Sequence, residues 1–143
     1  MRYYFFQMTA LFQSFSVVGV TGDGNCFYRS VCKGLYDNEE DHGLLRKKAM
    51  DALLEKIEEY SVYFDTESRF KRCVAANRRN GVWNSEIGDI VPAMVAKLLD
   101  VKMIIHNYDD NELSPTILNA EGSKELHLLH LHCHYSLLTA KER

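Results

Sequence analysis

The chain has 143 residues, of which 46% are hydrophobic and 26% charged, and its formal net charge is −3 at pH 7. A chain of this length can bury a core without disulfides or metals, so we predict one domain over residues 1–143. The small negative charge provides no basic field, and we therefore predict neither nucleic-acid binding nor membrane binding.

The first twenty residues are apolar enough to suggest a signal peptide or an anchor. Polar residues, among them Gln7 and Gln13, interrupt them before any apolar run reaches the roughly 18 residues of a spanning helix. We predict a helix or strand over residues 3–15 that packs on the domain, with residues 17–20 leading into a loop.

The four cysteines lie at positions 26, 32, 73 and 133. Their spacing matches neither a Cys-x-x-Cys motif nor a small secreted disulfide framework. We therefore expect reduced thiols and a cytoplasmic protein, in the host cytosol if it comes from a virus or an intracellular bacterium.

A glycine-rich loop followed by an amphipathic helix occupies residues 21–36. Gly22 and Gly24 allow a sharp turn that directs several N–H groups into one space. Asn25 is a favoured N-cap, which puts Cys26 at the first helical position. A helix N-terminus stabilises a thiolate, so this position suits a nucleophile, although a cysteine at a helix start is more often a small core residue.

Three further helices follow. A helical stripe predicts one long helix over residues 45–60, and Asp65 or Thr66 can cap the next helix. In the last helix, Pro92 predicts either a kink or a regular segment that begins only near Val91.

The pattern then changes from helix to strand. Residues 101–106, 125–131 and 134–138 read as strands, and residues 115–118 read as a short edge strand. Helices first and strands last predict an α+β fold, with a mixed or antiparallel sheet formed mainly by the C-terminal half.

Histidines crowd the last two predicted strands. In one continuous strand, His130, His132 and His134 would face the same side, which is a plausible start for a zinc site. A zinc-dependent hydrolase that uses the cluster from His127 to His134 is therefore one alternative. No matching second half of a metal motif is visible, so we favour ordinary strand and turn residues and predict no metal.

Three separate segments of the chain resemble the motifs of one known family. The segment from Gly22 to Ser30, Gly-Asp-Gly-Asn-Cys-Phe-Tyr-Arg-Ser, resembles the nucleophile motif of the ovarian tumour (OTU) cysteine proteases, and His134-Tyr135 resembles their histidine motif. Gly81-x-Trp83-x-x-Glu86-Ile87 resembles the segment that the family carries between them. The resemblance covers about residues 17–138 and implies a papain-like cysteine protease fold of OTU type.

The resemblance also implies an activity and its residues. An OTU enzyme is a thiol-dependent deubiquitinase that needs no cofactor, and its partner is ubiquitin, polyubiquitin or a ubiquitin-like modifier. Cys26 would be the nucleophile and His134 the general base and acid. Asp23 would be the motif aspartate in the oxyanion-hole loop formed by Asp23, Gly24, Asn25 and Cys26. Nothing in the sequence suggests a coiled coil, and we expect a monomer.

One position departs from the family pattern. Members commonly place Asp or Asn two residues after the histidine, and this chain has Ser136 there. A hydroxyl can accept the imidazole N–H bond but carries no charge. The third residue of the catalytic triad, which would orient the His134 ring, is therefore Ser136, Asn107 or a polar N-terminal group, or the enzyme relies on a Cys–His dyad. A further alternative is a catalytically weak or inactive ubiquitin-binding module.

The cationic tail of ubiquitin requires a channel that is narrow near Cys26 and acidic farther out. Trp83 could form a wall of that channel, and Glu86 could pair with a tail arginine. The other acidic candidates are Glu39, Glu40, Asp41, Asp109 and Asp110.

Overall fold

The computed structural model describes residues 9–109 and 112–141. Helices dominate its first two thirds, and among these residues no helix is both long and apolar enough to cross a membrane. The elements up to the last helix are α1 (residues 9–14), β1 (Phe15–Val18), α2 (Cys26–Tyr36), α3 (His42–Glu55), α4 (Ile57–Tyr60), a 3₁₀ turn (Ser61–Tyr63), α5 (Glu67–Asn77) and α6 (Ile90–Leu98).

Four strands complete the described chain and form one five-stranded sheet with β1. They are β2 (Val101–Asp109), β3 (Glu112–Leu118), β4 (Lys124–Leu131) and β5 (His134–Ala140). The order is β1-β5-β4-β2-β3, and every neighbouring pair is antiparallel except β2 and β4, which are parallel. The predicted α+β class and mixed sheet are therefore confirmed, as is the edge position of the strand around Pro115.

The strand β1 was not predicted. The sequence of residues 15–18 was expected to end a helix or strand and lead into the loop, whereas it pairs with β5 from Phe15 opposite Ala140 to Val18 opposite Leu137. Four residues carry too little period-two pattern to identify a strand, and its existence depends on the neighbouring β5.

The helix predictions were partly correct. The prediction of a single long helix over residues 45–60 is wrong, because the helix is interrupted at Lys56, between α3 and α4. Thr66 caps α5 as expected, since its Oγ1 accepts a 3.0 Å hydrogen bond from the Arg69 N–H. Pro92 lies in the first turn of α6, where a missing N–H is tolerated, so the second alternative for this helix is confirmed.

The main core lies between the helices and one face of the sheet. Phe27, Tyr28 and Val31 of α2 are fully buried in it, and α2 packs directly on β5. Burial of each such side chain contributes roughly 1.5–3 kcal/mol. A smaller cluster, formed by Leu11, Leu129 and Leu138, covers part of the opposite face. Helix α2 is therefore fixed against β5, and this packing positions the candidate site.

Gly122 lies in the turn between β3 and β4, next to the start of β2, with which β4 pairs in parallel. A Cβ at this position would overlap the backbone of Val101 and Lys102. We expect Gly122→Ala to lower the stability to unfolding by about 1–3 kcal/mol, because backbone cannot move aside as a flexible side chain can. Thermal unfolding measures this effect. Gly43→Ala is the matched control, since no atom lies within 4 Å of its added Cβ, and equal melting temperatures for the two variants would contradict the prediction.

Candidate active site

Helix α2 begins at Cys26, as the sequence predicts. The preceding loop needs a glycine at position 24, because Gly24 has φ +82° and a Cβ there would overlap the carbonyl group of Gly81. The loop that precedes the cysteine is therefore packed backbone to backbone against the loop around residue 81.

Asn25 was expected to cap α2 with its side chain, and this is wrong. The structure shows no capping bond from it. Its Oδ1 instead accepts hydrogen bonds from the Gly81 N–H at 3.0 Å and from Arg46 Nη2 at 2.7 Å. Asn25 is only 2% exposed. Two buried donors compete for the oxygen that would otherwise cap the helix, and the side chain joins the two loops instead.

Asp23 closes the same loop from the solvent side. Its Oδ1 accepts a hydrogen bond from the Asn25 N–H at 3.1 Å, and its Oδ2 lies 2.7 Å from Arg29 Nη2. The Arg29 guanidinium holds the pKa of the Asp23 carboxyl far below its usual range. Asp23 is therefore ionised at neutral pH and fixes the turn before Cys26.

The start of β5 lies directly against the start of α2. The Tyr135 N–H donates a hydrogen bond to Cys26 Sγ at 3.4 Å, and Ser30 Oγ donates to the Tyr135 carbonyl at 3.3 Å. The His134 imidazole packs on the loop, since a Cβ built on Gly22 would lie 3.6 Å from its Nδ1 and Cε1. The structure therefore brings the sulfur and the imidazole into one neighbourhood from positions 26 and 134.

The two named candidates for a third member lie in different places. Ser136 is two positions after His134 in β5, so both side chains are on the same face of the strand. Ser136 is buried and is paired with Leu129 of β4. The Asn107 amide instead donates to Thr116 Oγ1 at 2.8 Å, and its Oδ1 lies 3.3 Å from His130 Nδ1. Asn107 therefore contacts a different histidine.

Aromatic rings surround the backbone of this neighbourhood. The Trp83 ring lies 5.5 Å from Phe27 and 5.8 Å from Tyr135, measured between centroids. Trp83 is half-buried and packs against the main core, so part of its role is structural. Gly88 also lies close to the Trp83 indole, because a Cβ added at Gly88 would lie 3.1 Å from Trp83 Nε1.

A cleft of about 900 Å³ lies beside the sheet, and Gly88 and Tyr135 are among the residues that line it. Gly88, Asp89 and Pro92 form one side. The other side consists of strand and hairpin residues that include Asp109 and His130. The His130 ring stacks on Tyr135 at 4.2 Å. Neither Cys26 nor His134 lines the cleft, but Tyr135, whose N–H contacts Cys26 Sγ, lines it together with two carboxylates, Asp89 and Asp109.

The acidic residues that we predicted as partners of the cationic ubiquitin tail have different surroundings in the structure. Glu86 forms a 2.8 Å ion pair with Arg69 and accepts a hydrogen bond from Cys73 Sγ; the bond from Arg69 lowers the pKa of this carboxyl. Glu39 pairs with Arg29 at 3.4 Å. Asp109 lines the cleft. The remaining candidates are Glu40, which is exposed, Asp41, which is exposed and precedes α3, and Asp110, which lies outside the described residues.

The histidines do not lie on one strand. A turn at His132 and Cys133, both with positive φ, separates β4 from β5, as the two predicted strands require. The single continuous strand on which the zinc alternative depended is therefore absent from this segment. His127 lies 3.0 Å from His106 and 3.1 Å from Glu125. No group of three or more His, Cys, Asp or Glu residues is arranged to hold a metal ion in the part of the chain that the structure describes.

Sequence reasoning missed Arg46. This residue is 2% exposed and contacts both loops of the site. A signal was present: Arg46 shares the buried face of α3 with Ala49, Met50 and Leu53, and a charge in an apolar stripe needs an explanation. Asn77, also fully buried, accepts a 2.8 Å hydrogen bond from the Asn84 N–H, and no local pattern indicates that contact.

Residues 21–140 match the profile of the OTU-like cysteine protease family. The chain belongs to this family. The ovarian tumor domain-containing deubiquitinating enzyme 9 of Arabidopsis thaliana is 32% identical to this OTU-like chain over 101 residues, which is 66% of this chain and 28% of the plant protein. The chain thus spans little more than a quarter of the length of that relative.

Solved OTU domains share the fold. The OTU domain protease of Dera Ghazi Khan virus is 21% identical, with a TM-score of 0.73, and the alignment covers 92% of this chain and 85% of the viral chain. The Hazara virus OTU domain, solved bound to ubiquitin, is 22% identical with a TM-score of 0.72, and the coverages are 93% and 86%. The predicted OTU fold is therefore confirmed.

The ion pair of Asp23 predicts a pH-dependent contribution to stability. Because the pKa of Asp23 is lower in the folded chain than in the unfolded chain, its stabilisation is present above about pH 4 and is lost as the pH falls further. We expect Asp23→Asn to lower the free energy of unfolding by about 1 kcal/mol at pH 7. The effect is no larger because the ion pair is partly exposed to solvent. Urea unfolding at pH 7 and pH 3 measures the difference, and a gap of equal size at both pH values would contradict the assignment.

Proposed function

We propose that this OTU-like domain is a deubiquitinase that hydrolyses the isopeptide bond after the C-terminal glycine of ubiquitin or a ubiquitin-like modifier. The observation that carries the proposal is the hydrogen bond from the Tyr135 N–H to Cys26 Sγ, because it keeps the residue next to His134 in contact with the sulfur. Family membership supports a cysteine protease.

In the proposed acylation step, His134 takes the proton of the Cys26 thiol and the thiolate attacks the carbonyl carbon of the terminal glycine. The carbonyl π electrons move to oxygen and form a tetrahedral oxyanion. When the intermediate collapses, the C–N bond breaks and His134 gives its proton to the departing lysine amine. The product is a thioester between Cys26 and the modifier.

Deacylation uses the same residues in reverse. His134 takes a proton from water, and the hydroxide oxygen attacks the thioester carbonyl. The C–S bond then breaks and releases the modifier with a free terminal carboxylate. The sulfur leaves as a thiolate, which the Tyr135 N–H stabilises as a hydrogen-bond donor.

We assign the oxyanion hole to the N–H groups of Gly24 and Cys26, in the loop predicted from the sequence. The Asn25 N–H is already bound to Asp23, whereas no hydrogen bond joins the Gly24 or Cys26 N–H to another of the described residues. Donors that are oriented before the reaction stabilise the charge that develops on the carbonyl oxygen. Asp23 acts here as a positioning residue for the loop.

For the third residue of the catalytic triad we propose Ser136. Its place on the same strand face as His134 supports a hydrogen bond from the imidazole N–H to its hydroxyl oxygen. Such a bond would hold the ring orientation without adding charge. Asn107 is the weaker candidate, because its amide already contacts His130 and β3.

Two observations on relatives support ubiquitin as the partner. The plant relative is named a deubiquitinating enzyme, and the Hazara virus OTU domain was solved with ubiquitin bound. We extend the same partner, as ubiquitin or polyubiquitin, to this chain. We also propose that the domain acts as a monomer in the cytoplasm.

The cleft lined by Gly88 and Tyr135 is our candidate channel for the modifier tail. A cationic tail that ends in two glycines requires a narrow entrance and acidic residues beyond it. Trp83 packs on Tyr135, which lines the cleft, and Asp89 and Asp109 supply its carboxylates. Glu86 is a less favourable partner for a tail arginine because Arg69 already occupies its carboxylate.

Labelling with a ubiquitin that carries a C-terminal electrophile tests the nucleophile. We expect the wild type to form a covalent adduct, Cys26→Ala to form none while still binding ubiquitin, and His134→Ala to react at least tenfold more slowly. Cys133→Ala is the matched control, since Cys133 is an exposed thiol in the adjacent hairpin, and it should label normally.

The same experiment separates the alternatives. A ubiquitin-binding module without activity would bind ubiquitin but give no adduct and no turnover. A zinc hydrolase would lose activity to a chelator and tolerate alkylation of its thiols. Normal labelling of Cys26→Ala would contradict the proposed nucleophile.

Truncation of the acidic cleft tests the tail channel. We expect Asp109→Asn to raise KM for a ubiquitin substrate about three- to tenfold and to leave kcat unchanged, because a lost ion pair with the tail weakens binding before the reaction. Asp51→Asn is the control, since Asp51 pairs with Arg78 on the surface. An unchanged KM for Asp109→Asn and for Asp89→Asn would exclude this placement of the tail.

A further inference from the structure

Arg46 is the largest of the fully buried side chains. It projects from the apolar face of α3, and its guanidinium carbon lies 4.5 Å from the centre of the Tyr28 ring. A buried cation loses its hydration, and an apolar side chain of similar size commonly fills such a place at least as stably. Packing of the core alone therefore does not require a guanidinium here.

The contacts of the guanidinium join three separate segments. Nη1 donates to the carbonyl oxygens of Asn77 at 2.7 Å and Val82 at 2.5 Å. Nη2 donates to the carbonyl oxygen of Gly24 at 3.0 Å and to Asn25 Oδ1 at 2.7 Å. All four acceptors are neutral oxygens. The positive charge is thus held behind the loop of Cys26 and is not neutralised by a carboxylate among these partners.

These bonds fix the orientation of the loop peptides. The Gly24 carbonyl is held inward by Arg46, and the Asn25 carbonyl is held by the Arg29 N–H at 2.9 Å. Because a trans peptide is planar, a fixed carbonyl also fixes the N–H on the opposite side of the same peptide. The second bond therefore orients the Cys26 N–H. The first bond acts on the carbonyl of the Gly24–Asn25 peptide, and Asp23 Oδ1 accepts from the N–H of the same peptide. The Gly24 N–H lies inside the short turn that this second bond closes, so the turn restrains it as well.

We propose that Arg46 is a positioning residue for the isopeptidase reaction. Its guanidinium holds Asn25 Oδ1 and the Gly24–Asn25 peptide, which links the two peptides whose N–H groups, those of Gly24 and Cys26, bind the oxyanion. The inference rests on the proposed function for its kinetic part. The buried charge of Arg46 also lies against the loop that supplies both of these N–H groups, and a positive charge there favours the negatively charged transition state over the bound substrate.

The kinetic test compares Arg46→Met and Arg46→Lys with the wild type on ubiquitin that carries a C-terminal fluorogenic amide. We expect Arg46→Met to lower kcat about 100-fold and to change KM less than threefold, because the lost interaction acts only in the transition state. Arg46→Lys keeps the charge but not the two-armed geometry, and kcat should recover to within about tenfold of the wild type.

Leu53→Ala is the control for a merely structural effect. Leu53 is fully buried on the same helix, and its truncation destabilises the core without touching the Gly24–Asn25 peptide. All variants are assayed well below their melting temperatures. Equal losses of kcat for Leu53→Ala and Arg46→Met, or an unchanged kcat for Arg46→Met, would overturn the proposal.

A measurement without substrate separates this inference from the proposed function. In ¹⁵N NMR spectra of the free protein, we expect Arg46→Met to broaden or shift the amide signals of Gly24, Asn25 and Gly81, whereas Leu53→Ala leaves them sharp. If Arg46→Met does not fold, Arg46→Lys should produce a smaller change at the same three amides. A wild type without turnover would reject the deubiquitinase, and unchanged loop amides in both Arg46 variants would reject the role of Arg46.

Discussion

The contact between the first residue of α2 and the first residues of β5 is the constraint on which the candidate site depends. Tyr135 supplies both of its backbone polar groups to this contact: its N–H reaches Cys26 Sγ and its carbonyl accepts from Ser30 one helical turn later. The helix and the strand are therefore fixed against each other at two points. As a result, His134 lies against the loop that precedes the cysteine, although 108 positions separate the two residues in the sequence.

Both faces of the sheet contribute to this constraint. The Tyr135 side chain packs with Phe27 and Trp83, whose rings form part of the main core. Residues on the other face of β5 belong to the smaller cluster around Leu138, which α1 covers. A strand that is packed on both sides cannot change its register without exposing apolar side chains. The packing of β5 thus holds the backbone of the site more firmly than a surface hairpin alone could.

The loop before Cys26 is held by two arginines in very different surroundings. Arg29 lies at the surface and forms an ordinary ion pair with Asp23, which salt and solvent weaken. Arg46 lies in the interior and has only neutral oxygen acceptors at its Nη atoms, and these bonds also reach the segment that carries Trp83. Because both segments share one buried cation, the loop before Cys26 and the segment that carries Trp83 are held together.

The sequence by itself determined the order and type of most elements, the cap at Thr66, the start of α2 at Cys26 and the family. These features depend on side-chain periodicity, capping preferences or motifs within a few residues of one another. Only the tertiary structure decided that Phe15–Val18 pairs with β5, that β2 and β4 are parallel, and that Asn25 binds Arg46 and Gly81 instead of capping its helix. A polar side chain bonds to whichever partner distant segments bring within reach, and a short strand forms only beside a neighbour. Neither kind of choice is encoded in local sequence.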